Sequence, residues 1–189
     1  LGDGITFMTE SFLEDTEITG PIASKLFISS ETEDTDLFLI TRLFNEQQQE
    51  VTFQGALDPK TPLAQGWLRA SHRRIDNDLS KPYRPYHTHD KVELLIPEKV
   101  YEVDIEIWPT SIVVPKEYRI GLTIKGQDYV NQSGGGSTLP NMNKFSGCGP
   151  FLHDDPIDRP NDIFSKKTTL HFSRDQKPYL LLPIICLLY

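Results

Sequence analysis

Hydrophobic and polar positions alternate with a period of two in several stretches of this chain, and no strong amphipathic helix interrupts them. The clearest case is 101–111, where Tyr101, Val103, Ile105 and Ile107 fall on one side and Glu102, Asp104 and Glu106 on the other. This predicts an antiparallel strand with one dry and one wet face, ended by Pro109, which has no N–H to give to a ladder. Tyr118, Ile120, Leu122 and Ile124 alternate with Arg119, Gly121, Thr123 and Lys125 in a second clean strand. Ile18, Ile22, Leu26 and Ile28 share one parity, which predicts a strand from near Pro21 to Ser30 with Gly20-Pro21 at its start. Thr35 to Phe44 is apolar on both parities, as in a central strand covered on both sides, with a helix as the competing reading.

The polar turn Asn45 to Glu50 followed by Val51 to Phe53 makes a hairpin. Trp67 to Arg73, the trio Val92, Leu94 and Ile96, and Thr168 to Phe172 supply further extended runs. The apolar stretch Tyr179 to Tyr189 reads as a buried terminal strand, whereas 132–160, rich in glycine, proline and Asn-Asp punctuation, reads as a long irregular excursion. About nine strands without a repeat indicate an all-β fold, a two-sheet β-sandwich with jelly-roll topology preferred and long irregular loops.

With 189 residues the chain suffices for one domain, 1–189, with a substantial core. A net charge of -8 argues against nucleic acid as a partner, since a phosphate-tracking surface needs a basic excess. The longest apolar run is about half of what a spanning helix requires, so no membrane segment is expected. Two cysteines, Cys148 and Cys186, provide no disulfide framework and favour a reducing compartment, the cytoplasm first. Leu1 in place of an initiating methionine suggests a piece of a longer protein whose chemistry lies in the part before it.

The candidate motifs for chemistry are weak. The strained G-x-S-x-G elbow of a serine hydrolase is missing, and Gly134-Gly135-Gly136-Ser137 lacks the bracketing strand and helix such an elbow needs. Cys148 with His153 would make a nucleophile pair only if the thiol were activated, and nothing in the sequence does so. His87-Thr88-His89-Asp90 and His153-Asp154-Asp155 set imidazole beside carboxylate without securing three convergent metal ligands, so no metal or other cofactor is expected. Asp34 and Asp36, flanked by Glu31 and Glu33, fit a solvated acidic turn better than a calcium loop. Trp67, Tyr83, Tyr86, Tyr101 and Trp108 permit a carbohydrate-binding reading, although packing explains the same aromatics. Glu102, Asp104 and Glu106 share one strand face and do not form a glycosidase pair.

Taken together, Glu14-Asp15-Thr16-Glu17-Ile18-Thr19-Gly20-Pro21, Asp34-Thr35-Asp36 and Gly66-Trp67-Leu68-Arg69-Ala70-Ser71-His72-Arg73 resemble the C-terminal domain of the X-Pro dipeptidyl-peptidase and cocaine-esterase family of serine hydrolases. The Tyr101 to Ser111 run, Tyr118-Arg119-Ile120 and Tyr179-Leu180-Leu181-Leu182-Pro183-Ile184 continue the resemblance in order, from about Phe7 to Ile185. It implies a galactose-binding-like jelly roll behind an α/β-hydrolase domain that carries the Ser-Asp-His triad, so this chain would hold no catalytic residue. Its role would be to stabilise that catalytic domain of the same parent chain and to wall its active-site cleft, the parent cleaving an Xaa-Pro peptide bond or a small ester. The Gly134 to Gly149 insertion and the Cys186-Leu187-Leu188-Tyr189 tail depart from the family pattern. An independent carbohydrate-binding module is the alternative, and a homo-oligomer is left open. Trp67, Arg69, Arg73, Arg74, Tyr83, Arg84, Tyr86 and His87 concentrate arginine and aromatic side chains in an otherwise acidic chain, which makes them the candidate interdomain contact.

Overall fold

The structure, a computed structural model, describes residues 4–55, 58–131, 147–148 and 152–185. Among the described residues ten strands run in chain order: β1 (Ile5–Met8), β2 (Thr16–Ser30), β3 (Asp36–Phe44), β4 (Glu50–Val51), β5 (Ala64–Arg69), β6 (Tyr101–Val114), β7 (Arg119–Lys125), β8 (Thr168–Leu170), β9 (Tyr179–Leu181) and β10 (Ile184–Ile185). A 3-10 turn, Ala70–His72, follows β5, and a single helical turn, α1 (Asn161–Phe164), precedes β8. All pairings are antiparallel. In one sheet β3 is central, with β7 and then β1 on one side and β5 and β4 on the other. In the second sheet β2 is central, between β6 on one side and β8, β9 and β10 on the other. The two sheets make the expected sandwich.

The core lies between them because both central strands turn one parity inward. Ile22, Leu26 and Ile28 of β2 and Val103, Ile105 and Ile107 of β6 meet Leu37, Leu39, Leu122 and Ile124 of the opposite sheet. The double-sided pattern of β3 has the physical cause its sequence suggests: Leu37, Leu39 and Leu43 face the second sheet, while Phe38 and Ile40 are covered from outside by Tyr129. Burial pushes the Tyr129 phenol well up, and its hydroxyl donates a hydrogen bond to Glu50 at 2.8 Å. Glu50 also takes two hydrogen bonds from Arg42, at 2.8 and 2.6 Å, so an ion pair seals the outer cluster.

Several expected boundaries move. Pro109 does not end β6, which continues to Val114, and β2 begins at Thr16 rather than near Pro21. The register shifts where Gly20 faces Thr110 and Ile22 faces Ile107, a β-bulge that places Pro21 and Pro109 where the ladder is already broken. Gly20 takes φ +138 there, a conformation costly for any side chain. The β5 strand ends at Arg69 and passes into the 3-10 turn. Val92, Leu94 and Ile96 form no strand. The end of the chain gives two short strands, β9 and β10, broken at Leu182-Pro183; Tyr179, Leu181, Ile184 and Ile185 are partly exposed, so the stretch is not the buried strand its composition suggests. The β1 strand has no counterpart in the sequence reading. The Gly134–Ser137 run, Gly149 and Cys186 lie outside the described residues.

Candidate functional site

The two sheets come into close contact where β5 meets β6. A Cβ on Gly66 would lie 2.1 Å from the Glu106 carbonyl oxygen and 2.8 Å from the Ile107 Cα, so only glycine admits this contact. Because the strands meet there, the outward side chains on either side of the seam come together. Trp67 and Trp108 stack with ring centres 5.3 Å apart, tilted by 56°, and both remain largely exposed. His153 lies against Trp67 at 5.4 Å, its Nδ1 fixed by Asp128 at 2.9 Å, with the His153 amide donating to the same carboxylate at 2.6 Å. Gly66, Trp67, Glu106, Trp108 and His153 line an open cleft of about 530 Å³.

Charge at one side of the cleft is balanced internally. Arg69 reaches Asp36 at 3.0 and 3.2 Å and Asp158 at 2.9 Å through two further bonds, and Arg159 reaches Asp36 at 2.6 Å and also contacts Asp158. The hydrogen bonds that Arg69 donates to Asp36 hold its guanidinium further above its ordinary value, and those it donates to Asp158 lower the Asp158 carboxyl. Phe164 of α1 lies under Arg69 at 4.6 Å. His72, His87 and His89 also line the cleft. His87 bonds through Nε2 to the Asp104 carbonyl at 3.0 Å, and burial pushes its pKa down.

The candidate contact residues therefore divide. Arg69 is committed to Asp36 and Asp158. Arg73 donates to the Ala70 carbonyl at 3.1 Å, contacts Glu93 and lies 4.5 Å over the Tyr101 ring. Arg74 has a looser, exposed contact with Asp90 at 3.3 Å. Trp67, Tyr83, Arg84 and Tyr86 are exposed, and His87 is half-buried. Val92, Leu94 and Ile96, at 64%, 50% and 59% exposure, were legible as an apolar alternation but stand in solvent. The Asp128–His153 pair and the meeting of Trp108 with Trp67 leave no local trace, because each joins segments far apart in the chain.

The remaining motifs are absorbed by structure. Asp34 is a buried tie that accepts from the Thr35 amide, the Ser71 amide and the Ser71 hydroxyl at 2.9, 2.9 and 2.6 Å, fastening the β2–β3 turn to the residues after β5. With Asp36 held by two arginines, the acidic turn is a scaffold element. Burial raises the Cys148 thiol, followed in size by Asp128, which is the reverse of what an activated nucleophile needs. His153 takes its carboxylate from Asp128 rather than from its neighbours Asp154 and Asp155.

Residues 1–180 match the family profile described as the X-Pro dipeptidyl-peptidase C-terminal non-catalytic domain. The fold is similar to a solved CocE/NonD family hydrolase from Staphylococcus aureus, at a TM-score of 0.78 and 23% identity, covering 97% of this chain and 30% of that one. It is also similar to an alpha-amino acid ester hydrolase, at a TM-score of 0.61 and 14% identity over 97% of this chain and 26% of that one. Two curated relatives, from Mycobacterium bovis and Mycobacterium tuberculosis, bear names that make them candidate serine esterases; each is 28% identical over 132 residues, 66% of this chain. The chain spans 19% of the length of those relatives. A non-catalytic C-terminal domain implies a catalytic domain in the same parent chain.

Proposed function

Because the chain belongs to the family of X-Pro dipeptidyl-peptidase C-terminal non-catalytic domains, we propose that it docks against its parent's catalytic domain, stabilises it and walls part of its active-site cleft. The observation that carries this reading is the set of exposed apolar and aromatic side chains on β5 and in the segment from β5 to β6: Trp67, Tyr83, Tyr86, Val92, Leu94 and Ile96. A face of this kind, rimmed by arginine and histidine, has the composition of a partner surface. Arg84 extends it, while Arg69 and Arg73 act from behind by holding the β5 end and the following turn in place. Of the parent's chemistry, hydrolysis of a small ester fits the relatives' names and cleavage of an Xaa-Pro peptide bond fits the family's description, with the nucleophile on the catalytic domain.

The test uses the parent enzyme and this chain side by side. Tyr83→Ser with Leu94→Ser should lower the melting temperature and kcat/KM of the parent while leaving the melting of this chain unchanged. Equal destabilisation of both would place these residues in the domain's own interior and overturn the docking assignment. The chain alone should not hydrolyse p-nitrophenyl esters or Xaa-Pro amides above background; turnover that survives repurification would refute the non-catalytic role.

A further inference from the structure

Four of the chain's five histidines line one cleft, and two of them meet in a way that neither the fold nor the docking face requires. His72, at the end of the 3-10 turn, and His89, on the loop before β6, bring their Nδ1 atoms to 3.3 Å. Two imidazole nitrogens on one tetrahedral zinc, each at about 2.05 Å, stand about 3.3 Å apart. His89 holds φ +50, an unusual conformation for a residue with a side chain, and the loop around it is pinned by Thr88 to the Arg74 carbonyl at 3.1 Å and by the Ile75–His87 bridge. His87 lies beside the pair, its ring centre 6.0 Å from that of His89. Its Nε2 faces a backbone carbonyl, which can only accept, so in the neutral ring Nε2 carries the proton and Nδ1 keeps its lone pair. That is the arrangement in which metal-ligating histidines are commonly held.

We propose that His72 and His89 clamp a divalent transition-metal ion that prefers imidazole, with zinc as the probe, through their two Nδ1 atoms. Among the described residues no three donors stand at ligand distances, so water fills the remaining positions and His87 is the nearest further imidazole. In the metal-free pair one Nδ1–H donates to the other Nδ1. Binding requires that ring to carry its proton on Nε2 instead, so both lone pairs face the ion. The consequence is mechanical: the ion ties the turn after β5 to the loop that bears Tyr83, Arg84 and Tyr86, and so orders part of the outward face. The clamp does not depend on the docking role.

Zinc titration of the chain by calorimetry at pH 7.5 should give one saturable site that weakens in acid, because proton and metal compete for the same imidazole lone pairs. His72→Gln and His89→Asn, the latter chosen because asparagine tolerates positive φ, should each weaken binding by at least about tenfold. His171→Gln should leave it unchanged, since that ring bonds to Ser29 away from the cleft. In the unsubstituted chain the Nδ1 resonances of His72 and His89 should shift with zinc, a readout that no folding defect can mimic. No saturable binding below about 1 mM, an affinity too weak for a chelate, would overturn the proposal. Binding that survives loss of both His72 and His89, or zinc shifts confined to other histidines, would overturn it equally.

Discussion

Two stretches of this chain carry the same alternation of apolar residues and meet opposite fates. Val103, Ile105 and Ile107 on β6 are 1%, 0% and 0% exposed, whereas Val92, Leu94 and Ile96 a few residues earlier stand out in solvent. The difference is not in the side chains but in what lies across from them. The β6 strand pairs with β2 along nearly its whole length, and its inner parity meets the opposite sheet; the 92–96 stretch joins no sheet and is fastened by isolated bonds, among them Glu93 N–H to the Ser71 carbonyl and Leu95 N–H to the Glu33 carbonyl, with Leu95 turned inward and Val92, Leu94 and Ile96 outward. Alternation says which residues share a side and leaves open whether anything covers that side.

The sharpest way to break this contrast is to place the same charge on both stripes. Ile105→Asp buries an unpaired carboxylate between the sheets and should cost several kcal/mol, enough to abolish cooperative folding of a domain this size. A cooperative melt near the unsubstituted temperature would mean that the inner parity of β6 has been misassigned.

The seam that brings β6 under β5 comes next. Gly66→Ala drives a methyl group into the Glu106 carbonyl and should destabilise by about 1–3 kcal/mol through overpacking, read as a lower denaturation midpoint with an unchanged slope. Retention of full stability would show that the two sheets are further apart at this crossing. The opposite sign is expected at Thr41, whose hydroxyl is buried in the interior side of β3 and is, among the described residues, a side-chain group without a hydrogen-bond partner. Thr41→Val keeps the shape and removes the orphaned donor, so it should stabilise by about 1 kcal/mol; a loss of stability would reveal a partner for that hydroxyl.

A smaller effect concerns pH. Asp158 has its pKa lowered, chiefly by hydrogen bonds from Arg69, so the folded state favours its ionised form. Its contribution is present above the ordinary carboxylate range and is lost as pH falls through the lowered value. Replacing Asp158 by Asn should therefore remove a small part of the acid dependence of stability, kept small because half of the side chain is in water. An unchanged acid limb would disconnect Asp158 from Arg69. The smallest effect closes the comparison: Leu94→Asp should leave the melting of this chain within about 0.5 kcal/mol, and a large loss would mean that the 92–96 stripe is covered after all.

The legible part of the molecule is the part fixed by near neighbours. The inward parities of β2, β6 and β7 and the two covered faces of β3 follow from period-two patterning, because a strand has only two sides and one must leave water. The bulge was less accessible: Pro21 and Pro109 each look like strand ends in isolation, and only their pairing across β2 and β6 shows that one broken rung accommodates both. The candidate site was half legible. Composition drew attention to 67–87, where the aromatics and Arg84 are exposed, but it could not separate them from Arg69 and Arg73, whose carboxylate partners lie elsewhere in the chain.

The sequence by itself determined the class of fold, the dry faces of its main strands and the likeness to a non-catalytic hydrolase domain, since each rests on local periodicity or on motifs in order. Tertiary structure alone decided that Trp67 meets Trp108, that Asp128 holds His153 and that His72 faces His89. These contacts join positions separated by 17 to 41 residues along the chain, across strand crossings and loop closures. No periodicity reaches that far, and only the packing of one sheet on the other brings such groups within a few ångströms.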